Sequence, residues 1–246
     1  VTYAAAAVAI LVSCSVSGGC GNSVEIEYSQ SPTQPVIVLA SSQALPPEYA
    51  PHGADLMIYG DGTVIKKTGL YHYESGRIGE QELAALLTSI VDKGFFGLPA
   101  EGSAGQPGGV TQHVTVALKG RSKRVSAPGT QGGAFGRIVD GIKAVNVPDA
   151  REYVPESLVL YANALEGSSV AAGAKVVDWT LDPGLLTGAT AQSAAGKSVS
   201  GSQAEAVWKE LASAYSSDTS TEILFRADGK LFGSVYVVPQ FPMPGV

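Results

Sequence analysis

Three times in this sequence a short β-branched or aromatic run meets a Gly-containing turn and is answered by a second such run, a recurrence that limits the fold more than any other feature. Leu56, Met57, Ile58 and Tyr59 lead into Gly60, Asp61 and Gly62, and Thr63, Val64 and Ile65 lead away. Val114, Val116 and Leu118 alternate before Gly120, and the return strand runs to Val125. Ile223, Leu224 and Phe225 turn through Asp228 and Gly229 into Leu231, Phe232 and the run Val235 to Val238. Each predicts a β-hairpin. At Asp61-Gly62 the expected turn is type I′, which needs positive φ at both central positions.

Between the hairpins lie helical patterns. Leu83, Leu86, Leu87, Ile90 and Val91 recur at the helical interval and predict a helix over 80–93, with Gly94 as its left-handed stop. Phe135, Ile138, Val139 and Ile142 give a second helix, which Pro148 closes. In the second half, Leu158 to Tyr161 and Val176, Val177 and Trp179 read as strands, and 185–201, rich in Gly, Ala and Ser, reads as a loop. Ser202 and Glu205 have capping-box spacing ahead of Val207, Trp208, Leu211 and Tyr215, so a helix is expected over 203–215. Strands and helices without regular βαβ alternation predict an α+β class: antiparallel hairpins forming one or two sheets, with amphipathic helices packed on one side. An N-terminal half over 36–150 and a C-terminal half over 151–246 are expected, as one domain or two.

The chain has 246 residues, of which 45% are hydrophobic and 15% charged, with a net charge of -6. Such a chain can bury a core and is not of the disordered class. Generic nucleic-acid binding is not expected of an acidic chain, because neutralising phosphates takes a basic surface.

Residues 1–13 are uncharged and largely apolar, too short a run to span a bilayer as a helix and of the length of a signal-peptide h-region. The sequence starts with Val rather than Met and lacks a positive n-region, which reads as a truncated or misassigned start. Leu11, Val12, Ser13 and Cys14 resemble the bacterial lipobox, which implies that Cys14 receives a diacylglycerol and becomes the first mature residue. Cys20 is the weaker candidate, since Ser17 stands where that motif has an aliphatic side chain. A disulfide between Cys14 and Cys20, unmodified thiols or a buried strand are the competing readings. Residues 14–35, rich in Ser, Gly, Gln and Pro, read as a flexible tether.

Ile58 to Ile65, the ending Gly94-Phe95-Phe96, Tyr153-Val154-Pro155-Glu156 and Val237-Val238-Pro239-Gln240-Phe241-Pro242 together resemble a group of uncharacterised bacterial secreted proteins and lipoproteins. The resemblance covers most of the chain after residue 35. It implies a fold and an extracytoplasmic place, either lipid-anchored or secreted, and carries no site residue.

Motifs for chemistry are few. No Ser has the Gly spacing of a nucleophile elbow, His52, His72 and His113 lack zinc-protease spacing, and Gly196-Lys197-Ser198 lacks the first Gly of a P-loop. Asp61 and Asp228 read as turn formers rather than calcium ligands. His72 and Glu74 would share one face of a strand and are the nearest to an acid-base pair. A solvated strand is the plainer reading of both. Lys119, Arg121, Lys123 and Arg124 concentrate charge at the middle hairpin, where they could touch anionic headgroups or wall polymers, or simply keep a strand edge soluble. Trp179, Trp208 and the tyrosines read as core before groove, Trp208 above all.

The leading expectation is a lipid-anchored, non-catalytic extracytoplasmic domain that binds a protein or cell-envelope partner, with no catalytic residue, metal or cofactor assigned. The alternatives are an envelope hydrolase whose site is assembled from distant residues, and an inhibitor or chaperone-like module that offers a sheet edge.

Overall fold

The computed structural model describes residues 26–43, 53–101, 109–128, 132–165, 173–191, 196–215 and 223–241. Cys14, Cys20, His52 and the leader lie outside these residues. Among the described residues the architecture is α+β, with two sheets that are antiparallel but for one strand pair.

The first sheet is built from β1 (Pro35–Gln43), β2 (Ala54–Tyr59), β3 (Thr63–Gly69), β4 (His72–Arg77), β5 (Val110–Leu118), β6 (Arg121–Pro128) and β7 (Arg151–Glu152), in the order β6-β5-β1-β2-β3-β4-β7. Alternation sorts its side chains into two faces. Ile37, Leu39, Leu56, Ile58, Val64, Val114, Val116 and Val125 lie under α1 (Glu80–Asp92) and α2 (Gly133–Lys143), which bring in Leu83, Leu87, Ile90, Phe135, Ile138, Val139 and Ile142. Helix α1 starts without a side-chain cap, and Glu80 and Glu82 in its first turn complement the dipole instead. Gly94 follows at φ 78, so the predicted left-handed stop is present, and Phe95 after it is fully buried.

Both Asp-Gly hairpins form, but with different turns. At Gly60-Asp61-Gly62 only Gly62 has positive φ, the Gly62 N–H returns to the Tyr59 carbonyl at 3.0 Å, and Asp61 Oδ1 accepts the Thr63 N–H at 2.9 Å. The turn is therefore not the expected type I′, because a three-residue connection lets the Asp carboxylate close the loop while Gly62 alone takes the left-handed position. At Asp228-Gly229 both residues have positive φ, 49 and 72, with Ala227 opposite Lys230. The two-residue geometry belongs here.

The second sheet contains β8 (Ser157–Ala164), β9 (Lys175–Asp178), β10 (Lys197–Ser200), β11 (Ile223–Ala227) and β12 (Lys230–Gln240), in the order β10-β8-β12-β11-β9. Its β9–β11 pair is parallel. The stretch read as a loop, 185–201, holds α3 (Pro183–Ala191) and β10. Leu185, Leu186 and Ala189 are buried there, so tertiary burial overrides the weak propensity of its glycines. The helix α4 (Gly201–Tyr215) begins earlier than the capping box implies, and Glu205 pairs with Lys209 at 2.7 Å instead.

The two halves share one core. Met57, Tyr59, Ile65, Tyr71 and Tyr73 on the back of the first sheet cluster with Leu185 and Leu186 of α3, Val207, Trp208 and Leu211 of α4, and Leu160, Phe225 and Val237 of the second sheet. Trp208 is the hinge of this packing, with ring centroids 5.7 Å from both Tyr71 and Tyr73. Tyr71 accepts a left-handed backbone at φ 58, a conformation that costs a bulky residue about 1–2 kcal/mol, and burial of its ring offsets that.

Burial raises the phenol pKa of Tyr71 and Tyr73 above the ordinary value and that of Tyr215 to about 12. Above pH 10 the unfolded chain loses these protons while the folded chain keeps them, so stability is intact below pH 10 and falls as pH rises toward 12. Thermal melts between pH 8 and 12 should show a flat melting temperature to about pH 10 and a steep decline beyond it. Replacing Tyr215 by Phe should soften that decline.

The expected tether over 14–35 needs correction in its described part. Residues 26–34 lie against the first sheet, because Ile26 and Tyr28 find apolar surface on its helix-covered core. The Lys119 N–H donates to the Glu27 carbonyl at 2.8 Å, the Gly60 N–H to the Gln34 carbonyl at 3.4 Å, and Gln30 Nε2 to Glu80 at 3.1 Å.

Candidate functional site

The back of the first sheet is unequally covered. Over β2, β3 and β4 it is buried by the second half, whereas toward β6 the same face carries the outward row of β1, β5 and β6. That row follows from register. His113 stands opposite Ala40 on one side and Ser126 on the other, with Thr115 opposite Val38 and Arg124. Strand alternation points Thr111, His113 and Thr115 away from the core that takes Val114 and Val116.

In this row three side chains from three strands join. His113 Nε2 lies 2.8 Å from Ser42 Oγ and Nδ1 lies 2.8 Å from Ser126 Oγ. Ser42 is exposed near the end of β1, and the imidazole and Ser126 are half-buried. Desolvation first, and the charge of Arg124 second, hold the His113 pKa below its ordinary value. The neutral ring is thereby favoured. Neutral imidazole has one N–H and one lone pair, so it can donate to one serine and accept from the other.

The residues singled out from sequence are distributed differently. His72 and Glu74 do share the outward side of β4, both exposed, with Glu74 opposite Lys66 and Glu152. No hydrogen bond joins the two among those of the described residues. The basic hairpin divides. Lys119 pairs with Glu27 at 2.6 Å, Arg121 Cζ sits 4.0 Å over the Phe96 ring, and Lys123 Nζ donates to the carbonyls of Phe96 and Leu98. Lys123 lies in the row of Val125, so its ammonium clasps the 3-10 turn Phe95–Gly97 below the sheet, while Arg124 lies in the outward row beside Ser126. Lys197 and Ser198 of the P-loop echo lie in a strand, and Lys197 Nζ donates to the Gly184 carbonyl at 3.0 Å. Asp61 serves its turn, and Trp179 and Trp208 are core. Among the described residues no group of three His, Cys, Asp or Glu side chains gathers as metal ligands, and no helix is long and apolar enough to cross a membrane.

The Ser42–His113–Ser126 set escaped the sequence reading, although half of it had a signal. His113 and Ser126 stand at matching distances on either side of the Lys119-Gly120 turn, which makes them cross-strand partners in any two-residue hairpin. The pairing of β1 with β5 has no such local marker. No family model matches the chain, and no match was found among the curated proteins or the solved structures.

Proposed function

We propose that this chain is an extracytoplasmic binding domain, moored to a bacterial membrane through lipid on Cys14, which presents the outward row of β1, β5 and β6 to a partner in the cell envelope. The observation that carries the reading is the contrast on one sheet face. Its β2–β4 part is sealed by aromatic packing, and its β6–β5–β1 part offers Ser42, Thr111, His113, Thr115, Arg124 and Ser126. Hydroxyls, an imidazole and a guanidinium supply donors and acceptors suited to a polyhydroxylated or anionic polymer. Lys119, Arg121 and Lys123 each have an intramolecular partner, so Arg124 is the basic residue placed to meet it. The mooring is supported by Leu11-Val12-Ser13-Cys14 at the end of an uncharged run.

Two measurements test the two parts. Mass spectrometry of the mature amino terminus should find a diacylglyceryl Cys14, and an unmodified chain beginning elsewhere removes the anchor. Retention on purified envelope fragments should fall at least tenfold for the double variant Thr115→Glu, Arg124→Glu. The same protein with Asp140→Lys, exposed on α2, should be retained like the wild type. Equal retention of all three would overturn the assignment of the face.

A further inference from the structure

We propose that Ser42, His113 and Ser126 form a nucleophilic acyl-transfer centre, with Ser42 as nucleophile, His113 as general base and Ser126 as positioning residue. This goes beyond the binding reading and does not depend on the anchor or on the identity of the partner. It replaces His72 and Glu74 in the hydrolase alternative.

The geometry has two of the contacts that activate a hydroxyl: nucleophile to base, and base to a third group that orients it. Both are 2.8 Å and use opposite ring nitrogens. Of the two neutral tautomers, the one protonated on Nδ1 donates to Ser126 Oγ and leaves the Nε2 lone pair to accept the Ser42 proton. Ser126 is fixed on β6, and its N–H donates to the Ala100 carbonyl at 2.8 Å, so its hydroxyl is presented from a held backbone. The nucleophile chosen is Ser42 because it is the exposed member. Among the described residues Arg124 is the charged group acting on the ring; it disfavours imidazolium in the resting state, which keeps the base competent.

The substrate class is an acyl ester whose carbonyl can reach an exposed hydroxyl near a strand end on the outward face of a sheet. Ser42 Oγ attacks the carbonyl carbon while its proton passes to His113 Nε2. The bond to the leaving alkoxide breaks, and that oxygen takes the proton from His113 as the alcohol departs. Water then attacks the acyl-Ser42 ester, gives its proton to His113, and releases the carboxylic acid as the proton returns to Ser42.

The test uses the mature protein with a fluorophosphonate probe and with p-nitrophenyl acetate. Peptide mapping should place one phosphonyl adduct on Ser42, absent from Ser42→Ala, whose exposed position leaves the melt unchanged. His113→Gln should lower ester turnover about a hundredfold or more. The wild-type rate should rise with pH through an apparent pKa below the usual histidine value of 6.5. Ser126→Ala should lower kcat and shift that profile, and Ser126→Thr should restore both, as loss of folding alone would not. No adduct, an adduct on another residue, or labelling equal in wild type and His113→Gln would overturn the proposal, and loss of envelope retention in the face variants would not rescue it.

Discussion

Replacing Trp208 by Ala should cost about 3–5 kcal/mol of unfolding free energy, the range for removing a large aromatic from a close-packed core. The indole is 2% exposed and is one of the largest fully buried side chains among the described residues. Its neighbours explain why the site cannot easily collapse. Tyr71 meets it edge-on at 87° and Tyr73 at 51°, both from the first half of the chain. The cavity would open at the seam between halves, lined by rigid rings rather than flexible aliphatic chains. A domain with typical stability of roughly 5–15 kcal/mol would lose about a fifth or more of it. Denaturant titration followed by far-UV circular dichroism measures the loss. A change under about 1 kcal/mol would mean that the indole is not a shared anchor.

Gly60→Ala should be the next most damaging single change. A Cβ built there lies 1.5 Å from the Ser29 carbonyl oxygen and 2.6 Å from its carbon, so backbone, not a movable side chain, stands in the way. Either β2 or the segment 26–34 must shift. Shifting the segment breaks the Gly60–Gln34 hydrogen bond and strains the contacts of Ile26 and Tyr28 with the first core. Overpacking of this kind costs about 1–3 kcal/mol. The variant should therefore melt lower and be cut faster by protease within 26–34 than the wild type. Unchanged stability together with unchanged cleavage would mean that this segment does not lie on the sheet in solution.

That segment also shows where sequence stops being informative. Ser, Gln and Pro between residues 29 and 35 give no periodicity, and the two apolar anchors, Ile26 and Tyr28, gain meaning only once the helix-covered core and the Lys119 turn are assembled. The hairpins and α1, α2 and α4 were legible because their patterns are local: alternation about a turn, or an apolar stripe at the helical interval. Helix α3 and strand β10 were not, since Gly184, Gly188 and Thr187 carry little helix propensity and the short β10 has no alternating apolar run, and their order comes from packing against β8. The Asp61 turn was misread in detail for a related reason. Asp-Gly specifies positive φ at both residues only when the strand register leaves a two-residue loop, and register at Asp61 is set by β2 and β3 together.

The candidate site follows the same division. The His113–Ser126 pair is implied by one hairpin, but Ser42 is 71 residues from His113 and reaches it through a β1–β5 pairing that no local pattern announces. The basic run looked like one patch in sequence because its members are adjacent. Strand alternation sends Lys123 to the helix side and Arg124 to the outward side.

The central claim is that two halves of the chain close on one aromatic core and so determine which sheet face is sealed and which is offered. Native-state hydrogen exchange across a denaturant series tests it most directly, read at the amides of β2 and of β8. One folding unit predicts that both sets lose protection together, with the same free energy and the same denaturant dependence. Two separate openings, with β8 exchanging through a lower-energy unfolding that leaves β2 protected, would contradict the shared core.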